Sequence, residues 1–294
     1  MRIRDLLTKY SSKIDYLDLE LIIASVIKKP REFIFTHPEC KISSLKIENL
    51  KLKISRRTRN EPLAYILGYK DFFGLDFKVN EDTLIPRPET ETLVEQALQE
   101  FRELRIKNYE LSIIDVGTGS GNIIISLAKN LKDLRFKNDD LRFFGIDISD
   151  KEIKVAKQNA KKHKVDKKIK FIKSDLLGNK KILNNLTMKQ CSHLIILANL
   201  PYLSKKIYGS VSREVKREPK SALLSAEEGL SHYKKLFAQI KELSVVGCKL
   251  SVLLEFSPEQ KNKITKLVKT LFPDAKIRFF KDLAGKWRIC KITL

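Results

Sequence analysis

The sequence predicts an α/β fold: a seven-stranded, mainly parallel sheet with helices on both faces, with a small helical domain and a β-hairpin linker ahead of it. Three observations carry this. Beyond residue 90, short apolar runs alternate with helical stretches, the pattern of strands joined by right-handed crossovers. Before residue 60, apolar residues recur at helical spacing. Between these regions lies a segment punctuated by glycine and proline.

From Arg4 to Arg59 the helical spacing is carried by Leu17, Leu21, Ile22 and Val26, and then by Leu45, Ile47, Leu50 and Leu52. Residues 1–70 are therefore expected to form a helical domain. Within Tyr65–Asn80 the Gly68-Tyr69 and Gly74-Leu75 steps flank aromatic and β-branched residues, a hairpin pattern. Thr83-Leu84-Ile85-Pro86-Arg87-Pro88-Glu89 follows, its two prolines forcing extended backbone before a helix expected over Thr90–Leu104. Residues 71–89 thus form a hairpin and proline-rich linker, and residues 90–294 the main domain. Its strands are expected at Ser112–Val116, Arg142–Asp147, Ile169–Ile172, Leu194–Ala198, Leu250–Glu255, Lys276–Phe280 and Trp287–Thr293.

Composition narrows the class. A chain of 294 residues with 43% hydrophobic content is long enough for one large folded domain and a smaller one. Cys40, Cys191, Cys248 and Cys290 lie far apart, without the paired spacing of a zinc site or a disulfide framework, and read as reduced core thiols. His37, His163, His193 and His232 are scattered and read as structural or surface residues, so no metal is expected. Charged residues interrupt Met1–Val26, which fits neither a signal peptide nor a membrane span. The cytoplasm is the expected address. The net charge of +22 is mostly dispersed lysine among isoleucine and asparagine, a compositional bias before it is a nucleic-acid surface.

Asp115-Val116-Gly117-Thr118-Gly119-Ser120-Gly121-Asn122 sits where a strand passes into the helix Asn122–Asn130. Alternate glycines let backbone approach a ligand closely, while the helix start offers free amides. No lysine followed by serine or threonine comes after Gly121, which excludes a phosphate-gripping Walker loop, and the spacing is one residue tighter than the dinucleotide fingerprint. Asp147 ends the next strand, where a carboxylate accepts the two hydroxyls of a ribose. In Lys173-Ser174-Asp175-Leu176, Asp175 is placed to reach an adenine amino group; a turn or helix cap is its alternative role.

Asn199-Leu200-Pro201-Tyr202 follows the fourth strand. A planar amide or amine nitrogen is a poor nucleophile, because its lone pair is delocalised, and it must be held and oriented to react. The Asn199 side-chain oxygen and the Leu200 carbonyl are placed to accept its two N–H groups, and Tyr202 to stack on its plane. Glu255, at another strand end, reads as an ordinary carboxylate.

With these motifs, the chain resembles the HemK-type protein-(glutamine-N5) methyltransferases over nearly its full length. The resemblance is carried by Glu61-Pro62-Leu63-Ala64-Tyr65-Ile66-Leu67-Gly68, by Leu84–Glu91, by the Asp115–Gly121 loop, by Arg217-Glu218-Pro219 with Ala222-Leu223 and Gly229-Leu230, and by Asp282-Leu283-Ala284-Gly285 with Arg288. It implies a Rossmann-like class I fold that uses S-adenosyl-L-methionine. The family methylates the glutamine of the Gly-Gly-Gln loop in class 1 peptide chain release factors. It further implies that Gly117, Thr118, Gly119, Ser120, Gly121, Asp147 and Asn199 bind the cofactor, to which the position of Asp175 adds a further candidate. Asn199, Leu200, Pro201 and Tyr202 would bind the glutamine, with Asn199, Pro201 and Tyr202 catalytic, and the helical domain would dock the release factor to a monomeric enzyme. The family usually has Asn-Pro-Pro-Tyr where this chain has Leu200, and Asn-Leu-Pro-Tyr is similar to the motif of ribosomal RNA adenine dimethylases. An adenine-N6 methyltransferase acting on nucleic acid is therefore the alternative. It is disfavoured by the proline-rich linker and by the lack of a recognisable base-extracting domain.

Overall fold

The computed structural model describes residues 1–103, 110–131, 141–179, 191–243 and 248–294. The chain divides into two compact units, Met1–Lys70 with Val211–Arg217, and Asp71–Ser210 with Glu218–Leu294.

The first unit is helical: α1 (Ile3–Tyr10), α2 (Tyr16–Ile27), α3 (Glu32–Thr36), α4 (Ser44–Thr58) and α5 (Leu63–Leu67). Asp15 caps α2 by accepting from the amides of Leu17 and Asp18 at 2.9 and 3.2 Å. Lys28 closes the helix in the left-handed conformation. The core gathers Leu6, Leu19, Ile22, Ile23, Leu50 and Ile54. Four residues of the predicted helical pattern stay out of it: Leu21 is half-buried away from the cluster, and Leu17, Leu45 and Leu52 are exposed. On α4 the inward stripe is Ile47, Leu50 and Ile54, and Leu45 and Leu52, seven apart, lie off that stripe. Segment 211–217 joins this unit through Glu214, which pairs with Arg57, and through Arg217, which donates to the Arg59 carbonyl at 3.1 Å.

β1 (Tyr69–Phe72) and β2 (Leu75–Lys78) form a two-stranded sheet. Both loop residues, Phe73 (φ 50°) and Gly74 (φ 71°), take positive φ, the two-residue turn whose twist matches a hairpin. The linker is then fixed by Glu218, which accepts from the Ile85 amide at 3.0 Å and pairs with Arg87. α6 runs Pro88–Glu103, starting two residues earlier than expected because Pro88 suits a first helical turn. The expected last residue, Leu104, lies outside the described residues.

The main sheet has the order β5-β4-β3-β6-β7-β9-β8. Its strands are β3 (Glu110–Val116), β4 (Leu141–Asp147), β5 (Ile169–Lys173), β6 (Cys191–Ala198), β7 (Lys249–Glu255), β8 (Lys276–Lys281) and β9 (Trp287–Thr293). β5 to β7 pair in parallel, and β9 is antiparallel to both β7 and β8. Alternate residues face opposite layers. Ile114, Ile196 and Val252 pack in one core with Tyr233, Leu236 and Ile264 of the helices Ser231–Lys241 and Lys261–Leu271. Ile113, Ile195 and Leu253 pack in the other with α6 and α7 (Asn122–Asn130). Burial on both faces explains the near-continuous apolar runs of these strands.

Of the cysteines, Cys290 is a core thiol, whereas Cys40 and Cys248 are only half-buried, because each sits outside the strands and helices that fill the core; the Cys191 side chain lies outside the described residues. Among the described residues no helix is long and apolar enough to cross a membrane.

Candidate active site

The strand ends converge on one cavity of about 340 Å³, a size suited to a small-molecule ligand. Its first wall is the loop after β3. The amides of Gly117 and Thr118 both donate to the Ile146 carbonyl, at 2.8 and 2.9 Å, which ties the loop to the end of β4. Gly117 has φ +73°, and a Cβ there would stand 3.0 Å from Leu200 Cδ2, so loop and tetrapeptide meet only because Gly117 has no side chain. At Gly121 (φ +80°) a Cβ would come within 2.7 Å of Ile125 Cδ1, since α7 starts pressed against its neighbour.

Asp147 ends β4 and is 5% exposed. Its Oδ2 accepts from the Gly119 amide at 2.9 Å and its Oδ1 from the Ser149 amide at 3.0 Å. Glu152, in the first turn of α8 (Asp150–Lys162), hydrogen-bonds to the Asp147 carboxylate. Burial, then this bond and the negative charge of Asp147, push the Glu152 carboxyl well above the usual carboxylate range. The Glu152 carboxyl thus favours keeping a proton that it can share with Asp147. Behind the loop, Asp115 is fully buried and accepts from Thr118 Oγ1 at 2.7 Å. Burial pushes Asp115 up to about 7, against the pull of that hydrogen bond.

The opposite wall is built from the segment after β6. Asn199, Leu200 and Pro201 line the cavity. The Leu200 side chain is buried in the core, a place that a second proline would not fill. The Leu200 carbonyl lies 3.4 Å from the Tyr233 hydroxyl, whose single hydrogen has a closer acceptor in the Glu255 carbonyl. Asn199 Nδ2 donates to Thr90 Oγ1 at 3.1 Å, and Thr90 donates to Glu255 Oε2 at 2.6 Å.

The cavity brings together Gly117, Gly119, Asp147, Asp175, Asn199 and Leu200, with Pro201 beside them. Thr118, Ser120, Gly121 and Tyr202 do not line it. The hydroxyls of Thr118 and Ser120 turn to Asp115 and to Asn122 Oδ1, and the Tyr202 hydroxyl donates to Glu255 Oε1 at 3.1 Å. Asp175 is exposed at the rim and paired with Lys235.

Sequence reasoning passed over several residues that shape this site. Glu255, read as an ordinary carboxylate, is 1% exposed and collects hydrogen bonds from Thr90 and Tyr202. Asn159 joins the Ser120 carbonyl (2.8 Å) to the Lys78 carbonyl (3.0 Å), bracing the glycine loop against β2. His232 lines the cavity, with its ring near Ser225 Oγ and its protonation disfavoured by burial. A polar residue inside an apolar helical stripe was a signal for Asn159 alone, since α8 otherwise turns Val155, Ala156 and Ala160 inward.

These parts fit S-adenosylmethionine. A Cβ on Gly119 would meet nothing closer than the Gly117 carbonyl at 4.0 Å, so the loop leaves room for a ligand at its tip. Asp147 offers a buried carboxylate with lone pairs to spare for ribose hydroxyls, and the adjoining Ile148 is an exposed apolar side chain lining the same cavity.

Comparison with known proteins agrees with this architecture. Residues 93–269 match the family model of a methyltransferase domain, and residues 1–68 that of the PrmC N-terminal domain. The chain is 34% identical over 277 residues to the release factor glutamine methyltransferase of Dictyoglomus turgidum, covering 94% of this chain and 90% of that one. It is 33% identical over 295 residues to the protein of the same name from Buchnera aphidicola subsp. Acyrthosiphon pisum, covering 98% and 97%. Among solved structures, the hMettl16 catalytic domain in complex with MAT2A 3'UTR hairpin 1 aligns with a TM-score of 0.54 at 13% identity, covering 92% of this chain and 90% of that one. The N-terminal domain of human METTL16 in complex with SAH aligns with 0.51 at 16%, covering 92% and 93%. At 13% and 16% identity these structures show the fold alone, whereas the relatives at 34% and 33% identity show the family: the chain belongs to the release factor glutamine methyltransferase family.

Proposed function

We propose that this protein transfers a methyl group from S-adenosylmethionine to the side-chain amide nitrogen, N5, of the glutamine in the Gly-Gly-Gln loop of class 1 peptide chain release factors. The observation that carries the reading is that Asn199 and Leu200 line the same cavity as Gly117, Gly119 and Asp147. A planar amide entering beside Asn199 is thereby brought up to a cofactor site.

Gly117 and Gly119 of the glycine loop, with Asp147 and Asp175, would hold the cofactor, with Asn199 between cofactor and substrate. Bound there, S-adenosylmethionine supplies an electrophilic methyl group on a sulfonium. The chain contributes orientation and charge stabilisation. Asn199 Oδ1 and the Leu200 carbonyl accept the two amide hydrogens, which turns the nitrogen lone pair toward the methyl and offsets positive charge as it develops. Pro201 biases Leu200 toward the extended backbone this requires. Tyr202, which does not line the cavity, would brace this segment from behind through its bond to Glu255. After transfer, the N-methylated amide is acidic enough to lose its extra proton to water, and no general base is needed. The helical unit docks the release factor, and the enzyme works as a monomer in the cytoplasm alongside its substrate.

The test is a labelled methyl-transfer assay that offers release factor, its loop glutamine-to-alanine variant and ribosomal RNA in parallel. Label on the release factor that disappears with the loop variant is the expected result. Label on RNA alone would overturn the reading in favour of an adenine-N6 methyltransferase.

A further inference from the structure

The two ends of a carboxamide have nearly the same shape, so a role for one end of Asn199 requires a neighbour that tells oxygen from nitrogen. Thr90, in the first turn of α6, makes that distinction. Its hydroxyl carries one hydrogen, and Oγ1 donates it to Glu255 Oε2 at 2.6 Å. Thr90 can then only accept at its remaining contact, Asn199 Nδ2 at 3.1 Å. A flipped Asn199 would set Oδ1 against Thr90 Oγ1 with no hydrogen between them, and both Thr90 and Glu255 are 1% exposed, so water is not at hand to supply one.

The direction of this relay depends on Glu255 remaining an acceptor on both oxygens. Tyr202 donates to Oε1 at 3.1 Å, and the positive charge of Arg288 favours the carboxylate. Burial, the largest influence, and the negative charge of Glu89 act the other way and leave the carboxyl raised above its ordinary range, so its acceptor role rests on the two hydroxyls that face it, Thr90 and Tyr202. Arg288 is itself held by Asp282 at 3.1 Å, and the Tyr233 hydroxyl engages the Glu255 backbone carbonyl, not the carboxylate.

We infer that Thr90 and Glu255 are positioning residues that fix the Asn199 carboxamide with its NH2 toward α6 and its Oδ1 free to accept from the substrate nitrogen. This rests on the methyl-transfer reading above and extends it to residues that never touch the substrate.

The experiment compares Thr90→Val, Thr90→Ala and Thr90→Ser with the parent in kcat and KM for release factor, in S-adenosylmethionine affinity, and in the side-chain amide NMR signals of Asn199. Those signals are assigned by their loss in Asn199→Ala. Removing the hydroxyl is expected to lower kcat roughly 10- to 100-fold, as for loss of a preorganised polar group, with cofactor affinity within about twofold. Thr90→Ser restores kcat to within about threefold of the parent, because the hydroxyl is retained. In the parent and in Thr90→Ser one Asn199 amide hydrogen exchanges slowly; in the other two variants it does not. Serine as damaging as valine, or an Asn199 signal indifferent to the hydroxyl, would overturn the relay while leaving the substrate reading intact. A parent that labels no release factor but shows the slow amide hydrogen would overturn the substrate reading and keep the relay.

Discussion

The Tyr202 hydroxyl donates to Glu255 Oε1 at 3.1 Å, which ties the last residue of the Asn199–Tyr202 segment to the end of β7. The same residue is gripped through its backbone, where Gln260 Nε2 donates to the Tyr202 carbonyl at 3.0 Å. Asn199 is held at the other end through Thr90. The segment is thus anchored on both sides by one buried carboxylate, which shapes the expected consequences of changing it.

Tyr202→Phe keeps the ring and removes the anchor. A buried carboxylate oxygen then loses a donor, at a cost of about 1–3 kcal/mol. Thermal unfolding is expected to shift down accordingly, while methyl transfer by the folded enzyme falls less than about tenfold, because the ring remains. Unchanged thermal stability would show that the hydrogen bond contributes nothing.

Asn199→Ala removes the group expected to hold the amide. Turnover should fall roughly 100- to 1000-fold, the scale for losing one preorganised polar group in an active site, with cofactor binding falling less. Single-turnover methyl transfer measures this, and equal rates in variant and parent would take Asn199 out of the mechanism.

How much of this was legible beforehand depended on distance along the chain. The central strands could be read because burial on both faces leaves each an apolar run, such as Leu194–Ala198, that needs no knowledge of its neighbours, whereas the edge strands β5 and β8 show only alternation of apolar and charged residues. The glycine loop, Asp147 and Asn199 could be read because each sits immediately after such a run. Thr90 could not, since its partners Asn199 and Glu255 lie 109 and 165 residues away and nothing local marks the contact. Helical periodicity also misled at Leu45 and Leu52, whose spacing of seven fits an inward stripe as well as an outward one.

Asp147→Ala should weaken S-adenosylmethionine binding by about 1.5–3 kcal/mol, roughly 10- to 150-fold in Kd, for lost hydrogen bonds to a charged acceptor. Part of that arises before the ligand arrives, since Asp147 also holds the amides of Gly119 and Ser149. Calorimetric titration checks it, and an unchanged Kd would sink the ribose assignment.

Gly117→Ala places a Cβ 3.0 Å from Leu200 Cδ2 on a residue with φ +73°. The left-handed conformation alone costs a side-chain-bearing residue about 1–2 kcal/mol. Lower thermal stability and weaker cofactor binding are expected together, because the residue that moves belongs to the cavity wall. Loss of neither would mean that the positive φ is dispensable.

Glu152→Gln tests the proton that Glu152 holds against Asp147. The folded protein keeps the Glu152 carboxyl protonated above its ordinary value of 4.5, whereas the unfolded chain releases the proton there. With more protons bound in the folded state, stability falls as pH rises. The contribution is fully present below the unfolded value and is lost as pH climbs through the raised folded one. Glutamine has no proton to release, yet its amide still donates to Asp147, so it removes the dependence while keeping the contact. Thermal unfolding is therefore expected to show the variant gaining on the parent between about pH 5 and about pH 8, by on the order of 1–3 kcal/mol at the upper end. Parallel stability curves for the two proteins would mean that Glu152 titrates alike in the folded and the unfolded chain, and that the carboxylate of Asp147 is held in place by the Gly119 and Ser149 amides alone.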